Sequence, residues 1–177
     1  GVTDMDKSIE FYKGILGYDK IVYDEKGHFD DFEGLPGGER DFHRVLLTHD
    51  SIRKGAFSPL FGRSEIELIK VNDKSPNKIY EDRLWGDLGF IHLCFDVTEM
   101  KKIKKKCDHM GYPFTVDSNP DSYREGKGAF DMGEASGHFA YIEDPDGTLI
   151  EFVETHKIPV VKKLGWYLNL KKRNQEK

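Results

Sequence analysis

Three side chains that can bind a metal ion stand alone within apolar, strand-like segments. Glu67 lies in I-E-L-I, Glu151 lies in I-E-F-V, and His92 lies in G-F-I-H-L-C-F-D-V. By the two-residue period of a strand, His92 points to the same side as Cys94 and Phe90. A buried carboxylate without a partner is costly, so each glutamate either faces solvent or meets a cation. An imidazole with two carboxylates suits Zn, Ni, Co, Mn or Fe(II), and the set does not choose among them.

An internal repeat places the two glutamates at equivalent positions. V-T-D-M begins at Val2 and V-T-E-M at Val97, an offset of 95, and each is followed by apolar residues at helical spacing and then by Gly-Tyr. The offset is 84 for I-E-L-I and I-E-F-V, so 95 − 84 leaves 11 residues for one loop. We place them in residues 50–63, whose counterpart is a tight D-P-D-G turn. A duplicated sheet would bring the glutamates together across a pseudo-twofold axis, with the histidine on the adjoining strand.

Each half of the sequence predicts a helix followed by three strands, and the second half adds one strand in front. The predicted helices cover 6–16 and 99–110, and the predicted strands cover 19–24, 42–48, 65–71, 89–97, 113–117, 138–143 and 149–154. The unit is therefore βαβββ. We predict an α+β fold in which two tandem βαβββ modules form a curved mixed sheet around one cavity.

The repeat also predicts how the chain is divided. The first module covers 1–75, a linker covers 76–88, the second module covers 89–155, and a basic tail covers 156–177. A Gly-rich polar insertion interrupts the second module at 119–136. By the offset of 95, the partner of His92 falls at 92 − 95 = −3, in an opening strand upstream of Gly1. A fourth metal ligand is expected there.

Composition favours a globular protein over other classes. The chain has 177 residues, 37% of them apolar, enough for one compact domain or two small modules that share a core. No apolar run approaches the ~20 residues that span a bilayer, and the net charge of −5 gives no electrostatic case for nucleic acid. Cys94 and Cys107 lie in apolar settings, which predicts buried thiols and is typical of a cytoplasmic protein.

The paired βαβββ units, the H-L-C-F-D-V strand and the segment E-D-P-D-G-T-L-I-E together resemble the vicinal oxygen chelate superfamily over roughly 1–155. Within it, glyoxalase I is the most similar pattern. The resemblance implies that Glu67, His92 and Glu151 are metal ligands, and that Glu67 or Glu151 moves a proton between adjacent carbons of a hemithioacetal. It also implies a homodimer acting on a small molecule.

Three further residues are candidates for the substrate pocket of such an enzyme: Tyr141, His138 and Arg63. No glutathione site is recognisable in the sequence. Arg63 lies in the longer loop, where an arginine could meet a substrate carboxylate, although a solvated loop arginine is the more common case.

Other members of the superfamily offer alternatives. Residues 141–151 resemble the Y-x-x-D-P-x-G-x-x-x-E pattern of extradiol dioxygenases, which would bind Fe(II) through the upstream ligand, His92 and Glu151. That assignment leaves Glu67 without a role. An epimerase acting on an acyl-CoA would carry Gln at position 67. A metal-free binding module of the bleomycin-resistance kind would not need the three ligand-type residues.

Overall fold

The computed structural model describes residues 1–118, 130–132, 135–161 and 166–169. The chain forms two compact units, and each unit includes a short segment from the other half of the sequence. The first unit contains Gly1–Ile52, Arg63–Gly89 and Asp144–Thr148, and the second contains Arg53–Gly62, Phe90–Glu143 and Leu149–Lys177.

The first unit is one helix and a three-stranded antiparallel sheet. Helix α1, Met5–Gly14, begins after Asp4, whose carboxylate accepts the backbone N–H of Lys7. The sheet has the order β1-β2-β3, and its strands are β1 Lys20–Gly27, β2 Phe42–Thr48 and β3 Ile66–Val71. A single 3-10 turn, Asp30–Phe32, follows β1. These elements occur in the predicted order.

Strand alternation divides the first sheet into an apolar and a polar face. Val45, Leu47 and Leu68 are almost completely buried and contribute to the core with the apolar side of α1. Their neighbours along the strands, Arg44 and Glu67, therefore project from the opposite face. The fold thus places Glu67 on the face that does not contact the helix core.

The second unit contains a six-stranded mixed sheet. Its central order is β4-β8-β7-β5, with β6 beside β7 and β9 beside β8. Its elements are α2 Ser58–Phe61, β4 His92–Asp96, α3 Met100–His109, β5 Val116–Asp117, β6 Phe130–Met132, β7 Ala135–Glu143, β8 Leu149–Val161 and β9 Trp166–Asn169. Only β4 and β8 pair in parallel among the described strands. The mixed α+β class predicted from the sequence is confirmed.

A matching pair of backbone hydrogen bonds supports the repeat. The N–H of Val2 donates to the carbonyl of Ile69 at 2.9 Å, and the N–H of Val97 donates to the carbonyl of Val153 at 2.9 Å. Val2 and Val97 are 95 residues apart, and Ile69 and Val153 are 84 apart, the two offsets of the sequence repeat. The same connection between helix start and last strand therefore recurs in both halves.

Five predicted strand boundaries were wrong by three residues or more: the end of β1, the starts of β4, β5 and β7, and the end of β8. Strand β8 continues to Val161 rather than ending at Glu154, because β9 pairs with its extension and takes up backbone hydrogen bonds there. Part of the predicted tail, 156–177, is therefore sheet. Strand β4 begins at His92 rather than residue 89, since Gly89 has a φ of +108° that a strand does not adopt.

The insertion and the cysteines also differ in part from expectation. Phe130–Met132 of the predicted insertion forms β6 beside β7, whereas 119–129 and 133–134 lie outside the described residues. Cys107 is buried as predicted, but the prediction for Cys94 was wrong, because that residue is exposed at the sheet surface. Among the described residues, no helix has the length and apolar character needed to cross a membrane.

Candidate functional site

One face of the second unit's sheet carries a histidine, a cysteine, a tyrosine and a glutamate side by side. In the parallel pair of β4 and β8, Cys94 lies opposite Glu151. In the antiparallel pair of β7 and β8, Tyr141 lies opposite Glu151. His92 lies two residues before Cys94 and therefore projects from the same face. Three neighbouring strands thus converge on the carboxylate of the central one.

His92 and Tyr141 both contact that carboxylate. His92 Nε2 lies 3.0 Å from Glu151 Oε2, and the Tyr141 hydroxyl donates a hydrogen bond to Glu151 Oε1 at 2.7 Å. The His92 and Tyr141 rings meet edge to face, with centroids 5.4 Å apart. The side chains of His92 and Glu151 are 26% and 16% exposed, so a small ligand could still reach them.

The surroundings of Glu151 keep its two neutral neighbours protonated. Desolvation, followed by the hydrogen bond to Glu151, raises the pKa of the Cys94 thiol to about 12, although the residue as a whole is exposed. The same two causes raise the pKa of Tyr141 above its ordinary value. Near neutral pH both groups are therefore hydrogen-bond donors to the glutamate.

The pair of His92 and Glu151 fits a divalent metal ion. Metal bonds of about 2.0 to 2.2 Å place neighbouring ligand atoms about 3 to 3.5 Å apart, and the two ligand atoms here are 3.0 Å apart. Imidazole nitrogen with carboxylate oxygen is also a donor set that transition metals accept. Tyr141 would then orient the ligand carboxylate from outside the metal's coordination sphere.

Glu67 has a different set of partners in the first unit. Arg44 Nε donates to Glu67 Oε1 at 2.6 Å, and the Tyr23 hydroxyl donates to the same oxygen. Arg44 also holds both carboxylate oxygens of Asp31 at 2.8 Å, and its guanidinium lies 4.2 Å from the centroid of the Phe32 ring. The arginine side chain is only 12% exposed. Glu67 therefore belongs to an ion-pair network built around a largely enclosed arginine.

The structure brings together two of the three predicted metal ligands. His92 and Glu151 are in contact within the second unit, whereas Glu67 belongs to the first unit. That Glu67 joins the other two around one metal ion stays a prediction.

The other two candidate pocket residues have different surroundings. His138 lies opposite Glu154 in the sheet register, three positions from Tyr141, so it projects from the other face. It is also almost completely buried, at 4% exposure. The sheet therefore does not bring His138 to the face of His92. Arg63 is 57% exposed and lies 3.4 Å from Asp50, and its role in a pocket stays a prediction.

The sequence analysis missed Arg44 and Tyr23 as partners of Glu67. Arg44 is a lone charge in the apolar strand F-H-R-V-L-L-T, which is the same signal that singled out Glu67. Its pairing with Glu67 depends on the register of β2 and β3, in which Leu46 lies opposite Glu67 and Arg44 lies diagonally. The sequence shows Arg44 as an isolated charge, but it does not show that Arg44 pairs with Glu67.

The E-D-P-D-G segment has a structural task between β7 and β8. Asp144 Oδ1 accepts the backbone N–H groups of Asp146 at 2.9 Å and Thr148 at 2.7 Å, which closes the turn between β7 and β8. Its Oδ2 accepts the Tyr12 hydroxyl of α1 at 2.9 Å in a buried setting. The most specific motif of the sequence therefore fixes a turn and anchors it to a helix.

Comparison with known structures supports the fold. A glyoxalase family protein from Bacillus cereus is 14% identical with a TM-score of 0.60, over 87% of this chain and 88% of its own. A glyoxalase family protein from Enterococcus faecalis is 16% identical with a TM-score of 0.51, over 86% of this chain and 90% of its own. These similarities show the fold alone. No curated protein matches the chain.

The family comparison covers both halves of the repeat. Residues 1–152 match the model of the Glyoxalase/Bleomycin resistance protein/Dioxygenase superfamily, a span that includes His92, Tyr141 and Glu151 with their shared sheet face. The resemblance suggested by the paired modules is therefore confirmed, and the chain belongs to the Glyoxalase/Bleomycin resistance protein/Dioxygenase superfamily.

Proposed function

We propose that the chain is a metal-dependent lyase or isomerase of the glyoxalase I type, acting on the hemithioacetal of a 2-oxoaldehyde. The observation that carries this proposal is the contact of His92 with Glu151 at 3.0 Å, beside a tyrosine hydroxyl. A histidine and a carboxylate whose ligand atoms already lie at metal-ligand spacing favour a metalloenzyme over a metal-free binding module.

His92 and Glu151 would hold the metal ion, with Glu67 as a third ligand in this proposal. A bound divalent ion supplies Lewis-acid polarisation of substrate oxygens, which acidifies the adjacent C–H bond. The proposal leaves the metal open among Zn, Ni, Co, Mn and Fe(II), because nitrogen and oxygen donors suit all of them.

The protein's own groups then account for proton transfer. We assign the base to Glu151, because Glu67 is ion-paired with the guanidinium of Arg44, whereas the tyrosine that donates to Glu151 is uncharged. Tyr141 donates to Glu151 Oε1 and so restricts the rotation of the carboxylate. The base is thereby held in one orientation while it takes a proton from one carbon and returns it to the next.

An extradiol-type Fe(II) dioxygenase is the second candidate, and one observation favours it. From the sequence alone, Glu67 had no function in a dioxygenase. Its ion pair with the largely enclosed Arg44 gives it a structural role there. A glutamate that neutralises an enclosed arginine need not bind metal.

The two candidates are separated by substrate and by one variant. The protein is loaded in turn with Zn, Ni, Co, Mn and anaerobic Fe(II), and assayed with hemithioacetals of 2-oxoaldehydes and with catechols. We expect turnover of a hemithioacetal, and a loss of at least tenfold in kcat/KM in Glu67→Gln, because a metal ligand is weakened. Glu65→Gln, a change at an exposed residue two positions away, is the matched control.

Two results would contradict the lyase. Oxygen-dependent cleavage of a catechol, with activity kept in Glu67→Gln, would establish the dioxygenase instead. Metal binding at no more than background level in every loading would rule out both enzymes and favour a binding protein.

We further propose that the protein is a cytoplasmic homodimer that acts on a small molecule and has no nucleic-acid or membrane partner. Light scattering tests the dimer.

A further inference from the structure

A second cluster of metal-ligand side chains lies on the other face of the second unit's sheet. His138 on β7 lies opposite Glu154 on β8. His156 follows Glu154 by two residues, where the register of β7 and β8 shifts by one residue, and its ligand atom lies near those of the other two. This face continues into the buried residues Ala140 and Phe152. Because side chains alternate along β8, Glu151 points away from this cluster.

The ligand atoms of the cluster are already close together. One atom each from His138, Glu154 and His156 lie within 4.8 Å of one another. His156 Nε2 is 3.1 Å from Glu154 Oε2, and the two imidazole rings meet at 82° with centroids 5.0 Å apart. Neighbouring ligands of a bound metal ion are about 3 to 3.5 Å apart, so small side-chain rotations would close the set.

Burial of the cluster makes a bound cation favourable. His138 is 4% exposed, and the side chains of His156 and Glu154 are 12% and 15% exposed. His156 Nε2 is buried and, despite its short distance to Glu154, makes no hydrogen bond of acceptable geometry with the described residues. A metal ion would satisfy this nitrogen and the nearby carboxylate oxygen together.

A backbone contact from the start of α3 holds the carboxylate in place. The N–H of Glu99 donates to Glu154 Oε1 at 2.6 Å, which leaves Oε2 on the side of His156. Glu99 has a φ of +61°, a left-handed conformation that is unfavourable for a residue other than glycine. The fold therefore keeps a strained residue whose amide orients a candidate ligand, as outer-shell groups do in metal sites.

We propose that His138, Glu154 and His156 bind a divalent transition-metal ion at a site distinct from His92 and Glu151. Two imidazoles and one carboxylate are a ligand set for Zn²⁺, and they leave a coordination position for water or a further ligand. The site would join β7, β8 and the start of α3 within one unit.

The test separates this site from the one in the proposed function. His92→Ala/Glu151→Ala protein is dialysed against a chelator, titrated with Zn²⁺ by calorimetry, and examined with Co²⁺ by absorption spectroscopy. We expect about one equivalent of metal to bind, with a Co²⁺ spectrum of low coordination number, and thermal stability to rise with Zn²⁺.

Adding His156→Ala to that background should weaken Zn²⁺ binding at least tenfold and abolish the Co²⁺ spectrum. Glu154→Gln, a change of similar size in the same cluster, should do the same. The matched control is His109→Ala, which removes an exposed histidine at the end of α3. Because His156 is partly exposed, its truncation is less disruptive than truncation of His138, and circular dichroism checks the fold.

The proposal is overturned if the His92→Ala/Glu151→Ala protein binds no metal, or if His156→Ala binds it as tightly as the parent. One further result would support the site of His138, Glu154 and His156: wild type and the His92→Ala/Glu151→Ala protein both bind one equivalent of Zn²⁺, and adding His156→Ala removes that binding. The same result would contradict the metal site of the proposed function.

Discussion

The two repeated glutamates have different neighbours, although each accepts a tyrosine hydroxyl. Glu151 lies beside the imidazole of His92, and Glu67 lies beside the guanidinium of Arg44. A neutral imidazole has a lone pair for a metal ion, whereas a guanidinium has none. The repeated position therefore keeps its carboxylate but changes the chemistry available next to it. This asymmetry is why the proposed metal site is argued from Glu151.

Cys94 should be a poor nucleophile in spite of its exposure. With its pKa raised to about 12 by desolvation and by Glu151, about one molecule in ten thousand carries a thiolate at pH 8. We expect iodoacetamide to label Cys94 roughly a thousandfold more slowly than a free cysteine of ordinary pKa. The rate should rise about tenfold per pH unit up to pH 10. Mass spectrometry of the digested protein follows the labelled peptide.

Glu151→Gln provides the control for this assignment. The variant removes the negative charge next to the thiol, which lowers the pKa of Cys94 and should increase labelling several-fold at pH 8. Labelling of the wild-type protein as fast as glutathione would contradict the assignment, as would an unchanged rate in Glu151→Gln.

The sequence predicts some of the individual residues of the candidate site, but not all of their contacts. The lone polar residues His92 and Glu151 were visible from strand alternation, because a polar residue in an apolar strand needs a partner. The exposure of Cys94 was not predictable from its apolar neighbours, since it depends on what covers the sheet. Arg44 was not identified as the partner of Glu67, because that contact joins residues 23 positions apart and requires a known register.

The turn between β7 and β8 depends on one buried carboxylate. Asp144 is 6% exposed and Tyr12 is 4% exposed, so their hydrogen bond of 2.9 Å is shielded from water. The same burial, with the charge of Asp144, raises the pKa of Tyr12 well above its ordinary value. Tyr12 therefore remains protonated, and a hydrogen-bond donor, at neutral and mildly alkaline pH.

Replacing Tyr12 with Phe should destabilise the protein measurably. The change removes the hydroxyl and leaves Asp144 Oδ2 buried without that donor, which typically costs about 1–3 kcal/mol. For a chain of this size each kcal/mol lowers Tm by about 2–4 °C. Urea unfolding, followed by circular dichroism, measures the change in the free energy of unfolding.

Tyr80→Phe is the matched control, because no hydrogen bond of the Tyr80 hydroxyl is found among the described residues. Tyr80 is partly buried, and Arg83 lies 5.4 Å from its ring centroid, so its ring contact survives the change. We expect a change within about 0.5 kcal/mol. Equal losses in the two variants would show that the Asp144 bond contributes little.

The elements themselves were largely predictable from local patterns. Strand β2, Phe42–Thr48, has the predicted bounds, because its apolar run ends at polar residues on both sides. The end of β8 was missed because His156 and Lys157 read as the start of a basic tail. Lys157 pairs with Ser136 of β7 and with Asn169 of β9, and such long-range pairing leaves no local periodicity in the sequence.

The two compact units do not coincide with the two halves of the sequence. The first unit takes in the turn Asp144–Thr148, and the second takes in the loop Arg53–Gly62. In the first unit, the N–H of Thr3 donates to Asp146 at 3.0 Å. In the second, the N–H of Phe57 donates to Asp96 at 2.6 Å. The predicted modules describe the repeat, whereas each folded unit needs chain from both halves.

Because each unit contains a segment from the other half of the sequence, we expect the two halves to stay associated when the linker between them is cut. A protease site placed between Lys74 and Leu88, a stretch with no helix or strand, yields two fragments that each lack a segment of their own unit. We expect the cut fragments to elute together in gel filtration at the volume of the intact protein, with unchanged circular dichroism. Each fragment expressed alone should unfold at a lower urea concentration or fail to fold.

The cut protein that also carries Tyr12→Phe should fall apart at a lower urea concentration than the cut wild type, because one contact between the fragments is weakened. The intact protein with the uncut site controls for the insertion itself. Fragments that separate in buffer and each keep a cooperative unfolding transition would contradict the prediction. That result would mean that each half carries a sufficient core by itself, and that the exchanged turn and loop add little to stability.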